Sequence, residues 1–202
     1  MAFLVGVGYF DCDQFVIEQY FVRRFAEERA VLAQFLNRLD HMACTHGALV
    51  TFNGKCYDLP LLQNRAVLQR FSHIPAVDAH IDLLYPSRRL WRRHLPDCAL
   101  KTLESALAGV IRQGDVPAYL IPEMYFRYLR TSDPTPLQDV FYHNQLDILS
   151  MVALLDVMLM LFSREWAGDY LPVDRLSMAR MVEEVDREEM NPDFYDRLME
   201  GS

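Results

Sequence analysis

Apolar and polar positions alternate in a way that divides this chain into a short series of elements. Two β-prone runs, Phe3 to Phe10 and Phe15 to Val22, flank the polar stretch Asp11-Cys-Asp-Gln14. They predict an antiparallel hairpin with Asp11 and Asp13 as turn residues. From Glu27 to Met42, Val31, Leu32, Phe35, Leu36 and Leu39 form an apolar stripe at helical spacing. A short apolar run, Leu49 to Phe52, stops at Asn53-Gly54, and a helical pattern follows Asp58 to about Phe71. This reads as a buried strand, a tight turn and a helix, with Asp58 at the N-cap and Pro60 in the first turn.

Ala76 to Leu84 predicts another strand, on which His80 and Asp82 point to the same side. An arginine-rich segment and a helix over Leu100 to Leu107 come next. Asp115-Val-Pro and Ile121-Pro act as breakers around short helical turns between Tyr119 and Leu129, and Ser132 to Pro136 is a loop. A long helical pattern runs from Leu137 to Phe162, and beyond Gly168 the chain turns to short charged amphipathic helices. The layout predicts an α/β domain with a mixed sheet flanked by helices.

Composition narrows this picture. With 202 residues, 51% of them hydrophobic, the chain can build one real core with an appendage. With a net charge of -8 and a pI near 5.2, the whole chain lacks the basic signature of a bulk nucleic-acid binder. Arg88, Arg89, Arg92, Arg93 and His94 nevertheless form a local basic cluster that could hold a phosphate backbone. Four dispersed cysteines without a CxxC pair suggest neither zinc nor disulfides, so a reducing cytoplasm is the expected compartment. The apolar start at Met1 has no basic n-region, and the run from Leu149 to Phe162, broken by Asp156, is expected to be a buried helix too short to span a bilayer.

Two stretches carry candidate chemistry. Asn53, Gly54, Lys55 and Asp58 gather at the C-terminal mouth of a strand, where open α/β sheets bind ligands. Asp58 is then either a helix cap or a site carboxylate. His143 and Asp147 stand four apart on one helix face, either as a surface pair or as a base beside a metal ligand. The long apolar run after Asp147 makes an idle carboxylate there costly. No HExxH and no G-x-S-x-G accompany them.

Phe52-Asn-Gly-Lys-Cys-Tyr-Asp58 resembles the second motif of the DEDD superfamily of 3′–5′ exonucleases, and Tyr142-His-Asn-Gln-Leu-Asp147 resembles its third. His80-Ile-Asp-Leu-Leu-Tyr-Pro-Ser-Arg-Arg89, Leu100-Lys-Thr-Leu-Glu104, Gly114-Asp-Val-Pro117 and Phe3-Leu-Val-Gly-Val-Gly8 are similar to its YprB-like, RNase H-like branch. The resemblance covers roughly residues 3 to 162. It implies an RNase H-like mixed sheet and hydrolysis of phosphodiesters at single-stranded DNA or RNA ends with Mg²⁺ or Mn²⁺. Such ions prefer hard oxygen ligands and stabilise both the attacking and the leaving oxygen. By motif position it gives Asp58 and Asp147 as metal carboxylates and His143 as the group that positions or deprotonates water. Asn53 and Lys55 would meet the scissile strand, and Arg88, Arg89, Arg92 and Arg93 would hold more backbone.

The family's first motif, a strand with an Asp-x-Glu pair, belongs upstream of Phe3 and has no counterpart from Met1 onward. The sheet is therefore expected to lack its usual first central strand, so that its neighbours pair directly or leave two open edges. A late start site and a real truncation are both consistent with this. Two carboxylates would bind one metal weakly, so the chain reads as an exonuclease-like domain either active or inactive in this form. The alternative is a non-catalytic nucleic-acid or protein binding module on the same fold.

The expected division is an exonuclease domain over 1–166 and a helical tail over 167–202. In the tail, Asp174 to Glu184 resembles the first helix of a tetratricopeptide-type repeat, and Asn191 to Gly201 a partial second. A lone repeat must pack on the body or fray, and it offers a surface to a protein partner.

Overall fold

A computed structural model describes residues 1–163 and 173–184. Along the chain lie β1 (Leu4–Asp11), β2 (Gln14–Phe21), α1 (Glu28–Cys44), β3 (Leu49–Thr51), α2 (Asp58–Leu68) and β4 (His80–Asp82). They are followed by α3 (Leu84–Trp91), α4 (Leu100–Leu107), α5 (Ile121–Thr131), α6 (Leu137–Phe162) and α7 (Arg175–Glu184). Two compact units result, one from residues 1–82 and 112–151, the other from residues 83–111 and 152 onward.

In the first unit the expected hairpin forms, paired from Leu4↔Phe21 to Asp11↔Gln14, with Cys12 at φ 52 in its turn. The stripe read from the sequence is the buried face of α1. Leu32, Phe35, Leu36 and Leu39 join Val5 of β1 and Leu62 and Ala66 of α2 in one core, with Val7 and Leu49 packed against it. Each such side chain, fully buried, stabilises the fold by about 1.5–3 kcal/mol.

The other face of β1 meets α6 closely because it carries glycines. A Cβ on Gly6 would lie 2.2 Å from Asn144 Oδ1, and one on Gly8 would lie 2.6 Å from Ile148 Cγ2. From β2, the Gln19 amide donates to Phe141 O and Asn144 Oδ1, both at 2.9 Å. Tyr125 of α5 stacks on Phe3 and donates its hydroxyl to Val22 O at 2.9 Å. These contacts fix the N-terminal half of α6 over the hairpin.

β3 and β4 are parallel, with Leu49↔His80 and Thr51↔Asp82 opposite one another. The expected strand over Ala76 to Leu84 is only three residues long, since pairing lasts only as long as β3 does and α3 starts at Leu84. The helix expected to reach Phe71 ends at Leu68. β1 and β3 do not pair. The mixed sheet is realised as two separate two-stranded sheets, flanked by helices, so of the two expected arrangements the one with open edges is present.

In the second unit the arginine-rich segment, for which no element was expected, is largely the helix α3. Its apolar residues Leu90 and Trp91 are fully buried while Arg88, Arg92 and Arg93 stay exposed. α4 has the expected bounds. Buried Asp174 starts α7: its Oδ1 accepts the Ser177 amide at 3.0 Å, its own amide donates to Leu90 O at 2.8 Å, and Arg93 pairs with it at 3.1 Å. The helix expected over Asp174 to Glu184 is thus formed as α7 and docked on α3. Asn191 to Gly201 lie outside the described residues.

α6 corrects one expectation. At 26 residues it is long and apolar enough to cross a bilayer by length and composition. Core helices meet the same test, and in this one Val140, Ile148, Leu154 and Leu161 are buried in the fold while Asp139, Asp147 and Asp156 interrupt it.

Candidate active site

The turn after β3 is shaped around a carboxylate from the neighbouring strand. Buried Asp82 accepts the Asn53 amide on Oδ1 at 2.7 Å and the Lys55 amide on Oδ2 at 3.0 Å. To present both amides the chain passes through the left-handed region at Asn53 (φ 64), which asparagine tolerates better than most residues. Gly54 then runs close to the strand, where a Cβ would lie 2.5 Å from the Thr51 side chain. His80 Nε2 sits 2.8 Å from Thr51 Oγ1, and burial, then the charge of Lys55, pushes its pKa down.

Asp58 is not the helix cap. The N-cap of α2 is Tyr57, with no side-chain cap hydrogen bond, and Asp58 is the first helical residue. The loop carbonyls do the work a cap would do. Asn53 O accepts from Cys56 and Tyr57 at 3.3 and 3.1 Å, and Gly54 O accepts from Leu59 at 2.9 Å. The carboxylate of Asp58 is thereby left to other uses. It opens to solvent, which tempers every charge acting on it. Surrounding protein pushes its carboxyl up from the ordinary range, and the negative charges of Asp82 and Asp147 add to that push.

The second half of the site is a closed network under α6. His143 Nδ1 lies 2.7 Å from Asp115 Oδ1, and Nε2 faces Asp147 Oδ2 at 3.4 Å. Arg112 bridges the two carboxylates, 3.3 Å from Asp115 Oδ2 and 2.8 Å from Asp147 Oδ1, and reaches Ser150 Oγ at 3.4 Å. The side chains of Arg112 and Asp115 are 2% and 4% exposed, that of Asp147 37%. Burial pushes the Asp115 carboxyl up, but the His143 hydrogen bond and the charges of His143 and Arg112 outweigh it, so the group stays below its usual range.

The structure thus brings Asp58 and Asp147 within mutual electrostatic reach and sets His143 against Asp147. Asn53 and Lys55 join the same turn through their backbone amides. Arg88 and Arg92 sit on α3 and at its C-cap, in the second unit. Sequence reasoning missed three members. Asp82 had a signal, its shared strand side with His80, and Asp115 lay in a stretch read as a breaker and, as Gly114-Asp-Val-Pro117, as similar to the family, without a role at the site. Arg112 had none. Among the described residues, no group of three or more His, Cys, Asp or Glu side chains is arranged to hold a metal ion.

Comparison with known proteins agrees with this architecture. Residues 1–159 match the profile of the RNase_H superfamily, and the chain belongs to that superfamily. It is also similar to a Bacillus subtilis (strain 168) protein named "Uncharacterized protein YprB", with 33% identity over 154 residues. That match takes in 75% of this chain and 36% of the relative, so the chain spans about a third of the relative's length.

Proposed function

We propose that this chain is a divalent-metal-dependent nuclease domain of the DEDD type, removing nucleotides from single-stranded 3′ ends of DNA or RNA in a reducing cytoplasm. One observation carries the reading: beyond the effect of burial, Asp82 and Asp147 both push the Asp58 carboxyl up, so carboxylates from three elements act on one another near the end of β3, with Asp147 facing His143. Such a grouping suits a divalent cation, and carboxylate oxygens are the donors that Mg²⁺ and Mn²⁺ prefer. Asp58 and Asp147 would hold the ion. Asp82 would act chiefly by shaping the turn, since each of its oxygens accepts a backbone amide from it. The ion would supply charge stabilisation for the attacking and leaving oxygens. His143 is suited to accept a proton from water at Nε2. Asn53 and Lys55 would meet the terminal nucleotide, and Arg88 and Arg92 of the second unit would hold phosphate backbone.

A second reading has its own support. Arg112 already neutralises Asp147 at 2.8 Å, and no three-ligand cluster stands among the described residues. A binding module that keeps the fold and holds nucleic acid, or a protein partner through α7, fits those facts. Release of mononucleotides from a labelled single strand in Mg²⁺ or Mn²⁺ separates the two. Release that disappears in both Asp58→Ala and Asp147→Ala supports the nuclease. Equal behaviour of wild type and both variants, with salt-sensitive binding retained, supports the module.

A further inference from the structure

Asp115 lies 28 residues from His143 in sequence, yet it makes the shortest contact of that imidazole. We propose that Asp115, clamped by Arg112, is a positioning residue that fixes His143 as its Nδ1–H tautomer and turns Nε2 toward Asp147. The inference rests on the nuclease reading for its purpose, but its structural content stands apart from it.

An ionised carboxylate can only accept, so at 2.7 Å the hydrogen between the two groups belongs to Nδ1. A neutral ring protonated there has an unprotonated Nε2. That atom faces Asp147 Oδ2 across 3.4 Å, longer than a good N–H···O bond. The tautomer with hydrogen on Nε2 would lose the Asp115 bond and block the atom that has to accept a proton.

Asp115 is itself held in place. Its other oxygen meets Arg112 at 3.3 Å, and the same guanidinium reaches Asp147 and Ser150. His143, Asp147 and Ser150 recur at helical spacing along one face of α6, and the segment from Arg112 to Asp115 covers that face. Its two charged side chains are almost fully buried. The arrangement follows a general pattern in which a carboxylate behind an imidazole sets its tautomer and orientation.

Nitrogen-15 NMR of the full chain, at a pH where the ring is neutral, reads this directly, with His143 assigned by its loss in His143→Gln. The wild type is expected to show a protonated Nδ1 and an unprotonated Nε2. Asp115→Asn, whose amide can donate to the ring, is expected to shift the neutral form toward Nε2–H, and Asp115→Glu to restore part of the Nδ1–H population. On a labelled oligonucleotide, Asp115→Asn should lower kcat by about 10- to 100-fold with little change in KM. A wild-type ring protonated on Nε2, or a ring indifferent to Asp115→Asn, overturns the assignment even if nucleotides are released. An Nδ1–H ring in a chain that releases none supports the assignment and removes the nuclease reading instead. The wild-type spectrum decides the matter if a variant fails to fold.

Discussion

Arg112 holds Oδ1 of Asp147 at 2.8 Å while His143 faces Oδ2, so one carboxylate of the candidate site is shared between a fixed guanidinium and an imidazole. A resident cation of this kind stabilises the folded chain and competes with any metal ion for the same oxygen.

Removing Arg112 should therefore be costly. Arg112→Ala leaves buried Asp115 without its guanidinium, and breaking a buried pair from one side costs about 3–5 kcal/mol. Asp147→Asn, at a side chain 37% exposed, should cost no more than about 1 kcal/mol. Urea unfolding of the two variants checks this order, and equal losses would contradict it.

Asp58 should act in the opposite sense. Its folded-state carboxyl is raised, so ionising it costs stability as pH rises through the folded pKa, and nothing is lost at pH low enough to protonate it in both states. Asp58→Asn is expected to stabilise the chain at pH 7 by a few tenths of a kcal/mol, discounted for solvent screening, while reducing metal binding. The gain should fade in acid. Melting temperatures at neutral and low pH measure it, and destabilisation at pH 7 would count against the electrostatic account.

The hairpin carries the opposite pH signature. Hydrogen bonds from Arg38 and Tyr20 push Glu18 down from 4.5 to about 2. A depressed carboxyl contributes stability that is present above about 4.5 and lost as pH falls toward about 2. Allowing for partial exposure, the contribution is on the order of 2 kcal/mol. Glu18→Gln should be less stable at pH 7 and show a flatter acid limb, and an unchanged limb would remove Glu18 from the account.

Gly6 tests how the hairpin positions α6. With Asn144 Oδ1 and Ile148 Cδ1 2.2 and 2.7 Å from its would-be Cβ, Gly6→Ala must displace both side-chain ends and disturb the Asn144–Gln19 hydrogen bond, at a cost of about 1 kcal/mol. Because His143 and Asp147 ride on that helix, their NMR signals should shift as well. A neutral substitution with unchanged spectra would show that the close approach is not needed.

The sequence made the hairpin, α1, α4 and α6 legible because each has a local cause: alternation around Asp11-Cys-Asp-Gln14, an apolar stripe, or uninterrupted helical spacing. It was less informative where tertiary contacts decide. β4 is short because β3 is short, and α3 is a helix because Leu90 and Trp91 find a core despite their arginine neighbours. Asp58, Asp147 and His143 entered as candidates through their likeness to family motifs, since spacing alone left a helix cap and a surface pair open as well. Asp82 and Asp115 became visible as site members only when the fold brought them to Asn53 and His143, and a guanidinium that serves two carboxylates leaves no pattern in one dimension.

The most direct test of the account is a Mn²⁺ titration followed by electron paramagnetic resonance, comparing wild type with Asp58→Asn, Asp147→Asn and the double variant. If the two carboxylates serve one cation, each single variant should lose most of the protein-bound Mn²⁺ and the double variant should lose little more, because the same site is already gone. Wild-type Mn²⁺ binding retained in either single variant, or losses that simply add, would contradict a shared site.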